Sequence, residues 1–226
     1  SVTKYAVMVK DPSSIKYHLD KALYLAKERR PGPVWLDLPL NVQHAEIDPN
    51  SLRGFKPKLK KQGVQKLKQQ VKKALELIVK AQRPIILAGH GIRIARAIPE
   101  FEKLINALGL PIVSTWNGID ILPHNHKLYI GQIGVYGARS ANFAIQNSDL
   151  LLSIGSRLDT RQTGNHPQTF ARAAIKIAVD IDKAELTKDW VKIDLPIEAD
   201  AKVFITEISG QLKNIELPIV SKWWQK

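Results

Sequence analysis

The sequence lacks cysteine entirely. This absence excludes disulfide bonds, thiolate metal sites and cysteine nucleophiles. No apolar run approaches the roughly 18 residues that a membrane span requires. The first ten residues also lack the basic and then apolar pattern of a secretory signal peptide. These absences favour a cytoplasmic protein without a membrane segment.

Metal-ligand spacing is lacking as well. The histidines that the chain does contain, His90, His124, His126 and His166 among them, are scattered along the sequence. No spacing between them is typical of a zinc site. We therefore predict no metal site in this chain, and the residue pattern identifies no catalytic side chain.

Positive charge is in excess, and much of it is local. The formal net charge is +13, and residues 56–73 contain eight lysines and no acidic residue. Such a run can attract anionic partners, including nucleic acid. It lacks, however, the interleaved aromatic residues of a groove for single-stranded nucleic acid. A linker followed by a solvated helix face is the favoured interpretation, and a nucleic-acid partner is disfavoured.

Apolar patterns and chain breakers divide the sequence into four segments. Residues 1–45 are predicted to form a strand, a helix and a strand, with a helix-start signal at Asp11-Pro12 and a break at residues 30–33. Residues 46–63 are rich in Pro, Gly and Lys without a period, which is typical of a linker. Residues 64–215 are predicted to form the main domain, and residues 216–226 to begin another linker.

Short apolar runs alternate with helical patterns in the main domain. The runs lie at residues 84–88, 111–115, 150–154 and 175–179, with a weaker one at 191–197, and helical spacing occurs at 64–78, 98–108 and 138–147. Continuous apolar strands between helices indicate a parallel sheet that is covered on both faces. The predicted fold class is therefore α/β, an open doubly wound parallel sheet preceded by a βαβ-like unit.

Glycines and polar residues follow the predicted strands where each strand ends. They are Gly89-His90-Gly91, Thr115-Trp116, the glycines of GQIGVYG (131–137), Gly155 with Arg157, Asp159 and Arg161, and Asp180-Ile181-Asp182. Open α/β sheets bind ligands at this edge. Glycine loops bring backbone amides to an anion, and arginines match the oxygens of a diphosphate. Together these residues predict a nucleotide-binding crevice.

Each of these features also has a purely structural interpretation. Arg157, Asp159 and Arg161 could form a surface ion-pair cluster, and Asp180 and Asp182 could cap the helix that follows. The glycine spacing in GQIGVYG differs from the G-x-G-x-x-G fingerprint of dinucleotide-binding folds. The nucleotide hypothesis therefore depends on the convergence of all these features at one edge of the sheet.

The motifs resemble those of thiamine diphosphate-dependent enzymes. Residues 30–43, RPGPVWLDLPLNVQ, resemble the end of a pyrimidine-binding domain, and AGHGI, STWNG, YIGQIGVYG, SDLLLSIGSRLDTRQTG and VDIDKAE follow in the order of the central domain. The nearest resemblance is to the catalytic subunit of acetolactate synthases. It implies a Rossmann-like central domain of the DHS-like NAD/FAD-binding type, preceded by a βαβ-like remnant of a pyrimidine-binding domain.

In the acetolactate synthase branch, the resemblance implies a central domain that binds FAD in a largely structural role. The residues implied for cofactor binding are Gly89, His90, Gly91, Thr115, Trp116, Gly134, Val135, Tyr136, Gly155, Arg157, Asp159, Arg161, Asp180, Ile181, Asp200 and Ala201. Arg157 and Arg161 would meet the phosphate and ribitol region, and Asp180 would border the adenosine. Three positions depart from the family pattern, namely His90, Thr160 and Ala199.

By the same resemblance, the parent enzyme would use thiamine diphosphate and Mg²⁺ to decarboxylate a 2-oxo acid. It would be a transferase or lyase of branched-chain amino acid biosynthesis, and a homo-oligomer. Two family features are lacking in this sequence: the early glutamate of the pyrimidine domain, and a Gly-Asp-Gly run followed by Asn. The chain is therefore expected to be an excised or proteolysed fragment that gives scaffold and cofactor support and is inactive alone.

Three alternatives stay open. The first is a FAD-free 2-oxo acid decarboxylase or lyase relative with a vestigial nucleotide cleft. The second is a basic nucleic-acid-binding module that uses the lysines of residues 56–73. The third is a NAD-binding module of sirtuin-like topology, which is disfavoured because the sequence offers no persuasive catalytic histidine.

Overall fold

The computed structural model describes residues 2–57, 63–213 and 215, and the chain divides into two compact units, residues 1–62 and 63–226. The helices are α1 (Ile15–Lys27), α2 (Leu40–Gln43), α3 (Val64–Lys80), α4 (Gly91–Ile94), α5 (Ile98–Leu108), α6 (Arg139–Asn147), α7 (Thr160–Thr163), α8 (Lys183–Thr187) and α9 (Ala201–Leu212). The strands are β1 (Tyr5–Met8), β2 (Val34–Asp37), β3 (Pro84–Ala88), β4 (Ile112–Ser114), β5 (Tyr129–Gln132), β6 (Leu150–Ile154), β7 (Ile175–Asp180) and β8 (Leu195–Glu198). None of these helices is long and apolar enough to cross a membrane. The predicted segment 216–226 and residues 58–62 of the predicted linker lie outside the described residues.

The smaller unit contains the predicted strand, helix and strand. β1 and β2 pair in parallel, with Tyr5 opposite Val34, and α1 lies between them in the chain. Pro12 occupies the first turn of a short 3-10 helix that leads into α1. Hydrogen bonds from the Ser13 hydroxyl (2.7 Å) and the Ser13 amide (2.9 Å) lower the pKa of Asp11, the residue that caps this turn. The helix-start signal read from the sequence is confirmed.

The segment after α2 packs back on α1. Residues 46–57 contain no helix or strand. The Phe55 ring nevertheless lies 5.6 Å from the Tyr17 ring and 5.7 Å from the Tyr24 ring, measured between centroids. The Phe55 amide also donates a hydrogen bond to Asp20 Oδ2 at 3.3 Å. This part of the predicted linker is therefore anchored to a helix of the smaller unit.

The larger unit is built on a six-stranded sheet in which all neighbouring strands are parallel. The strand order is β5-β4-β3-β6-β7-β8. Numbered within this unit, that is the order 3-2-1-4-5-6 of dinucleotide-binding folds. The chain first builds outwards from β3 through β4 to β5 and then resumes at β6 on the other side. The predicted doubly wound parallel sheet is confirmed, with its switch point between β3 and β6.

Helices cover both faces of this sheet. Alternate residues of β3 pack into two different apolar clusters, Ile86 and Ala88 into one, Ile85 and Leu87 into the other. The first cluster contains buried residues of α3, α5 and α9, and the second contains buried residues of α6. Because successive side chains of a strand point to opposite faces, a strand covered on both faces must be apolar at every position. This requirement explains the continuous apolar runs in the sequence.

A lysine side chain is buried near the amino end of β7. Lys176 of β7 is 9% exposed, and its Nζ donates a hydrogen bond to the Ala174 carbonyl at 3.1 Å. Burial lowers the pKa of Lys176, while the negative charge of Asp194 opposes the shift. Lys176 lies at the amino end of β7. It is therefore remote from the carboxyl ends of the strands, where the predicted ligand-binding loops begin.

Candidate functional site

The predicted ligand-binding residues lie in loops at the carboxyl ends of the parallel strands. Residues 89–91 follow β3, 115–116 follow β4, 134–136 follow β5, 155–161 follow β6, 180–181 end β7 or follow it, and 200–201 follow β8. The buried residues among them are Gly89, Thr115, Gly134, Asp180 and Ala201; the half-buried are His90, Gly91, Gly155, Asp159, Ile181 and Asp200; the exposed are Trp116, Val135, Tyr136, Arg157 and Arg161. The sheet therefore brings all the predicted positions to one edge.

The loops after β3 and β6 meet through their backbones at the switch point. The Gly89 amide donates to the Ile154 carbonyl and the Gly91 amide to the Gly155 carbonyl, both at 2.9 Å. A Cβ atom added to Gly91 would lie 2.6 Å from the Gly155 Cα, and Gly155 has a φ of +64°. The glycines are therefore required by contact between the two loops, a structural reason that the sequence pattern does not reveal.

The loop after β5 is fixed by α6 and joined to the loop after β6. The Asn142 side chain accepts a hydrogen bond from the Gly134 amide at 2.9 Å and donates one to the Gly134 carbonyl at 3.0 Å. The Val135 amide donates to the Arg161 carbonyl at 2.9 Å. Gly134 has a φ of +111°, a conformation that only glycine adopts easily. Asn142 is a positioning residue that the sequence analysis does not identify.

The loops after β3 and β4 are also joined. His90 Nδ1 lies 2.7 Å from the Asn117 carbonyl oxygen. Because a carbonyl oxygen only accepts, Nδ1 donates the hydrogen in this contact. The buried Thr115 donates its amide to the Ala88 carbonyl at 3.0 Å. His90, the bulky residue of the Gly-His-Gly sequence, thus links the loops that follow β3 and β4.

Two exposed aromatic rings stand at this edge. Trp116 and Tyr136 are 53% and 70% exposed, and their ring centroids lie 5.7 Å apart in an edge-to-face arrangement. Ile119 and Val135 are exposed as well. Exposed apolar side chains grouped beside a ligand edge offer a stacking surface to a planar ring system.

Arg157 forms an ion pair with a residue of the helix that follows β7. Its Nε lies 2.7 Å from Oε1 of Glu185, which belongs to α8. The other carboxylate oxygen of Glu185 lies 2.8 Å from the Lys188 Nζ, and Lys188 also donates to the main-chain carbonyl of Arg157. From the sequence alone, the predicted partners of Arg157 were its neighbours Asp159 and Arg161. The signal for Glu185 and Lys188 in the sequence is an acid and a base three residues apart, with Glu185 in α8 and Lys188 directly after it.

Asp159 binds a backbone amide, and among the described residues its carboxylate pairs with no guanidinium. It accepts a hydrogen bond from the Arg161 amide at 3.1 Å and so caps the short helix α7. The Arg161 side chain is exposed, and across the part of the chain that the structure describes it makes no hydrogen bond or ion pair. Arg161 therefore presents its guanidinium to solvent at the edge of the sheet where the strands end.

The other aspartates of the edge also bind backbone amides. Asp180 Oδ1 accepts from the Asp182 amide at 2.8 Å, and Asp182 caps α8. Asp200 caps α9, because it accepts from the amides of Lys202 at 2.8 Å and Val203 at 3.3 Å. The capping interpretation of Asp182 is confirmed. Among the described residues, no group of three or more His, Asp or Glu side chains could hold a metal ion.

Comparison with known proteins identifies the family. Residues 71–208 match the model of the family described as thiamine pyrophosphate enzyme, central domain. The chain is 35% identical to the probable acetolactate synthase large subunit of Methanocaldococcus jannaschii, over 100% of this chain and 38% of that protein. It is 36% identical to the acetolactate synthase large subunit of Corynebacterium glutamicum (98% of this chain, 36% of that protein) and 32% identical to that of Lactococcus lactis (92% and 36%).

The resemblance suggested by the sequence motifs is therefore confirmed. The chain spans between 36% and 38% of the length of these relatives. The match covers the sheet from α3 to α9 and includes the loops at the switch point. The chain belongs to the thiamine pyrophosphate enzyme family, and its residues 71–208 form the central domain of that family.

Proposed function

We propose that this chain is the central-domain part of an acetolactate synthase-like enzyme that acts on a 2-oxo acid. Its similarity to acetolactate synthase large subunits over nearly all of its residues supports this function. The sequence contains no Gly-Asp-Gly run. Thiamine pyrophosphate (thiamine diphosphate) and Mg²⁺ would then be held mainly by residues outside this chain, in a cytoplasmic homo-oligomer. Release of CO₂ from pyruvate by this chain alone would contradict the proposal that it gives scaffold and cofactor support only.

We further propose that the crevice at the switch point binds FAD. The observation that carries this proposal is the convergence of the loops after β3, β4, β5 and β6, which are joined by hydrogen bonds. The donors suit a dinucleotide, since Arg157 and Arg161 offer guanidiniums to a diphosphate and Trp116 and Tyr136 offer rings to a planar group. When bound, the flavin would have a largely structural role, because the net reaction is not a redox reaction.

One observation favours a FAD-free relative as the second candidate. Gly89, Gly91 and Gly155 are required by contact between the loops, so the glycine pattern would persist in a protein that binds no ligand. Such a relative would keep the same sheet and the same loops. Binding measurements separate the two candidates.

The test is titration of the chain with FAD, followed by flavin fluorescence and by the thermal unfolding midpoint. We expect the wild type to bind FAD and to unfold at a higher temperature in its presence. Arg161→Gln should weaken binding about tenfold, since it removes a charge-assisted hydrogen bond. Arg172→Gln is the matched control, because Arg172 is exposed and precedes the amino end of β7, at the opposite edge of the sheet.

Two results would contradict FAD binding in the crevice. A wild type whose fluorescence titration and unfolding midpoint are unaffected by FAD would favour the FAD-free candidate. Equal losses of affinity in R161Q and R172Q would show that general positive charge, and not the crevice, attracts the dinucleotide.

A further inference from the structure

A partly buried carboxylate, that of Glu185, bridges two cations beside the crevice. Glu185 is 11% exposed at its side chain; its Oε1 lies 2.7 Å from Arg157 Nε and its Oε2 lies 2.8 Å from Lys188 Nζ. Lys188 closes the arrangement by donating to the main-chain carbonyl of Arg157. We call these three residues the Glu185 cluster. The cluster ties the loop after β6 to the helix after β7, across two neighbouring strands of the sheet.

The ion pair leaves the ligand-binding side of the guanidinium available. An arginine carries five N–H donors, and Glu185 engages only the one on Nε. Within residues 2–57, 63–213 and 215, the two terminal nitrogens of Arg157 make no hydrogen bond. Their parallel N–H bonds suit the oxygens of a phosphate. The orientation of this fork is set by Glu185, because a guanidinium is rigid and planar.

Charge alone does not account for a carboxylate at this place. A carboxylate beside an anion site repels the ligand, and the cluster keeps a net charge of only +1 from its two cations. The acid is useful there if it fixes the direction of both cations, since long exposed side chains otherwise lose rotamer entropy when they bind. The Arg157 side chain is 55% exposed, and among the described residues only Glu185 holds it in place by an ion pair.

We propose that Glu185 is a positioning residue that orients Arg157 and Lys188 into a two-cation site for a diphosphate group. Lys188 is thereby a binding residue of the crevice in addition to those identified from the sequence. This inference rests on the proposed dinucleotide function of the crevice, and it names the residues that hold the diphosphate part of that ligand. The diphosphate is recognised by charge and by fork geometry, so ADP should share the site with FAD.

The test compares Glu185→Gln with the wild type in calorimetric titrations with FAD and with ADP. We expect E185Q to bind both about tenfold more weakly, although it removes a negative charge from an anion site. Lys188→Met should also weaken binding, and the salt dependence of its affinity should be reduced because one cation is gone. Glu102→Gln is the charge-matched control, since Glu102 is exposed on α5 outside the crevice.

The direction in which Glu185→Gln changes the affinity for FAD and ADP tests the positioning role of Glu185. If the wild type binds and E185Q binds as tightly or more tightly, Glu185 only adds charge and the inference is wrong, while the proposed function stands. If the wild type binds neither FAD nor ADP, the proposed function fails and the inference fails with it.

A second measurement does not depend on affinity or on a fully stable variant. In NMR spectra of the ligand-free chain, the Arg157 Nε–H signal should be protected from solvent exchange. It should lose that protection in E185Q and recover part of it in Glu185→Asp. An unprotected Nε–H in the wild type would contradict the positioning role directly.

Discussion

At the scale of single residues, the contact between Gly155 and Gly91 determines a stability effect. Gly155 has a φ of +64°, and a Cβ atom added to it would lie 2.7 Å from the Gly91 Cα. Gly155→Ala would therefore combine a left-handed conformation, which costs about 1–2 kcal/mol, with displacement of the facing backbone. We expect the free energy of unfolding to fall by about 2–3 kcal/mol in total. Urea denaturation followed by circular dichroism measures this change.

Gly210→Ala is the matched control for this prediction. Gly210 lies inside α9, is exposed, and would meet no atom within 4 Å of an added Cβ. Alanine is about 0.5–1 kcal/mol more favourable than glycine in a helix, so G210A should be more stable than the wild type. If G155A kept wild-type stability while G210A behaved as expected, the close approach of the two loops would be refuted.

Residue roles that depend on local sequence were predictable, and those that depend on distant residues were not. Asp182 precedes a helix and caps it, as its position in the sequence indicates. Arg157, in contrast, pairs with Glu185, which lies 28 residues further along the chain. That pairing arises because β6 and β7 are neighbours in the sheet, and periodicity along the chain carries no such information. The cluster at the crevice was therefore only partly visible in the sequence.

At the scale of secondary-structure elements, Asp200 fixes the start of α9. Its carboxylate accepts hydrogen bonds from the amides of Lys202 and Val203, which would otherwise lack partners at the helix N-terminus. Asp200→Ala should lower the free energy of unfolding by about 1 kcal/mol, the usual cost of losing such a cap. Chemical denaturation of the ligand-free chain measures it, so that a role of Asp200 in ligand binding does not contribute.

Asp200→Asn separates the cap from the charge. Asparagine caps helices about as well as aspartate, so D200N should stay close to the wild type. A loss in D200N equal to that in D200A would mean that the negative charge near the helix N-terminus, and not the accepting oxygen, provides the stability. In that case, the loss should shrink at high salt.

Strands buried on both faces were predictable, whereas the edge strand β5 was not. The sequences of β3 and β6, PIILA and LLLSI, are fully buried, and their continuous apolar runs identified them. β5 reads YIGQ, has one neighbouring strand, and contains Gly131 at a φ of +139°. An edge strand with a glycine at an irregular register gives neither an apolar run nor a clean alternation. β5 therefore became visible only through its pairing with β4.

The last strand and the last helix of the larger unit, β8 and α9, were also only partly predictable from the sequence. The weak run at 191–197 was predicted as a strand, and the strand observed is β8, residues 195–198. Helix α9 was not predicted from the sequence, and its residues include the β-branched Val203, Ile205 and Thr206. Such residues have weak intrinsic helix propensity. The helix is stabilised instead by packing of its buried face on α3 and α5, a tertiary effect.

At the scale of the whole chain, the larger unit contains a complete sheet and its own core. The two apolar clusters that cover the sheet, with the partly buried residues packed on them, are formed by described residues between 67 and 215. The family match begins at residue 71. All the loops of the proposed crevice also belong to this unit. These observations predict that residues 63–226 fold and bind the cofactor without residues 1–62.

The measurement is a comparison of the full chain with a chain shortened to residues 63–226. We expect the free energy of unfolding of the larger unit to be the same in the two chains within about 0.5 kcal/mol, as for sites without shared partners. The FAD affinities should also be equal. A chain shortened further, to residues 82–226, is the control. It lacks α3, whose Val71, Leu75 and Ile78 are buried in the apolar cluster on one face of the six-stranded sheet. Loss of three such side chains should unfold the domain, since each is worth about 1.5–3 kcal/mol when buried. If the 63–226 chain unfolded as readily as the 82–226 chain, residues 1–62 would be part of the domain's stability, and the division of the chain into two independent units would be wrong.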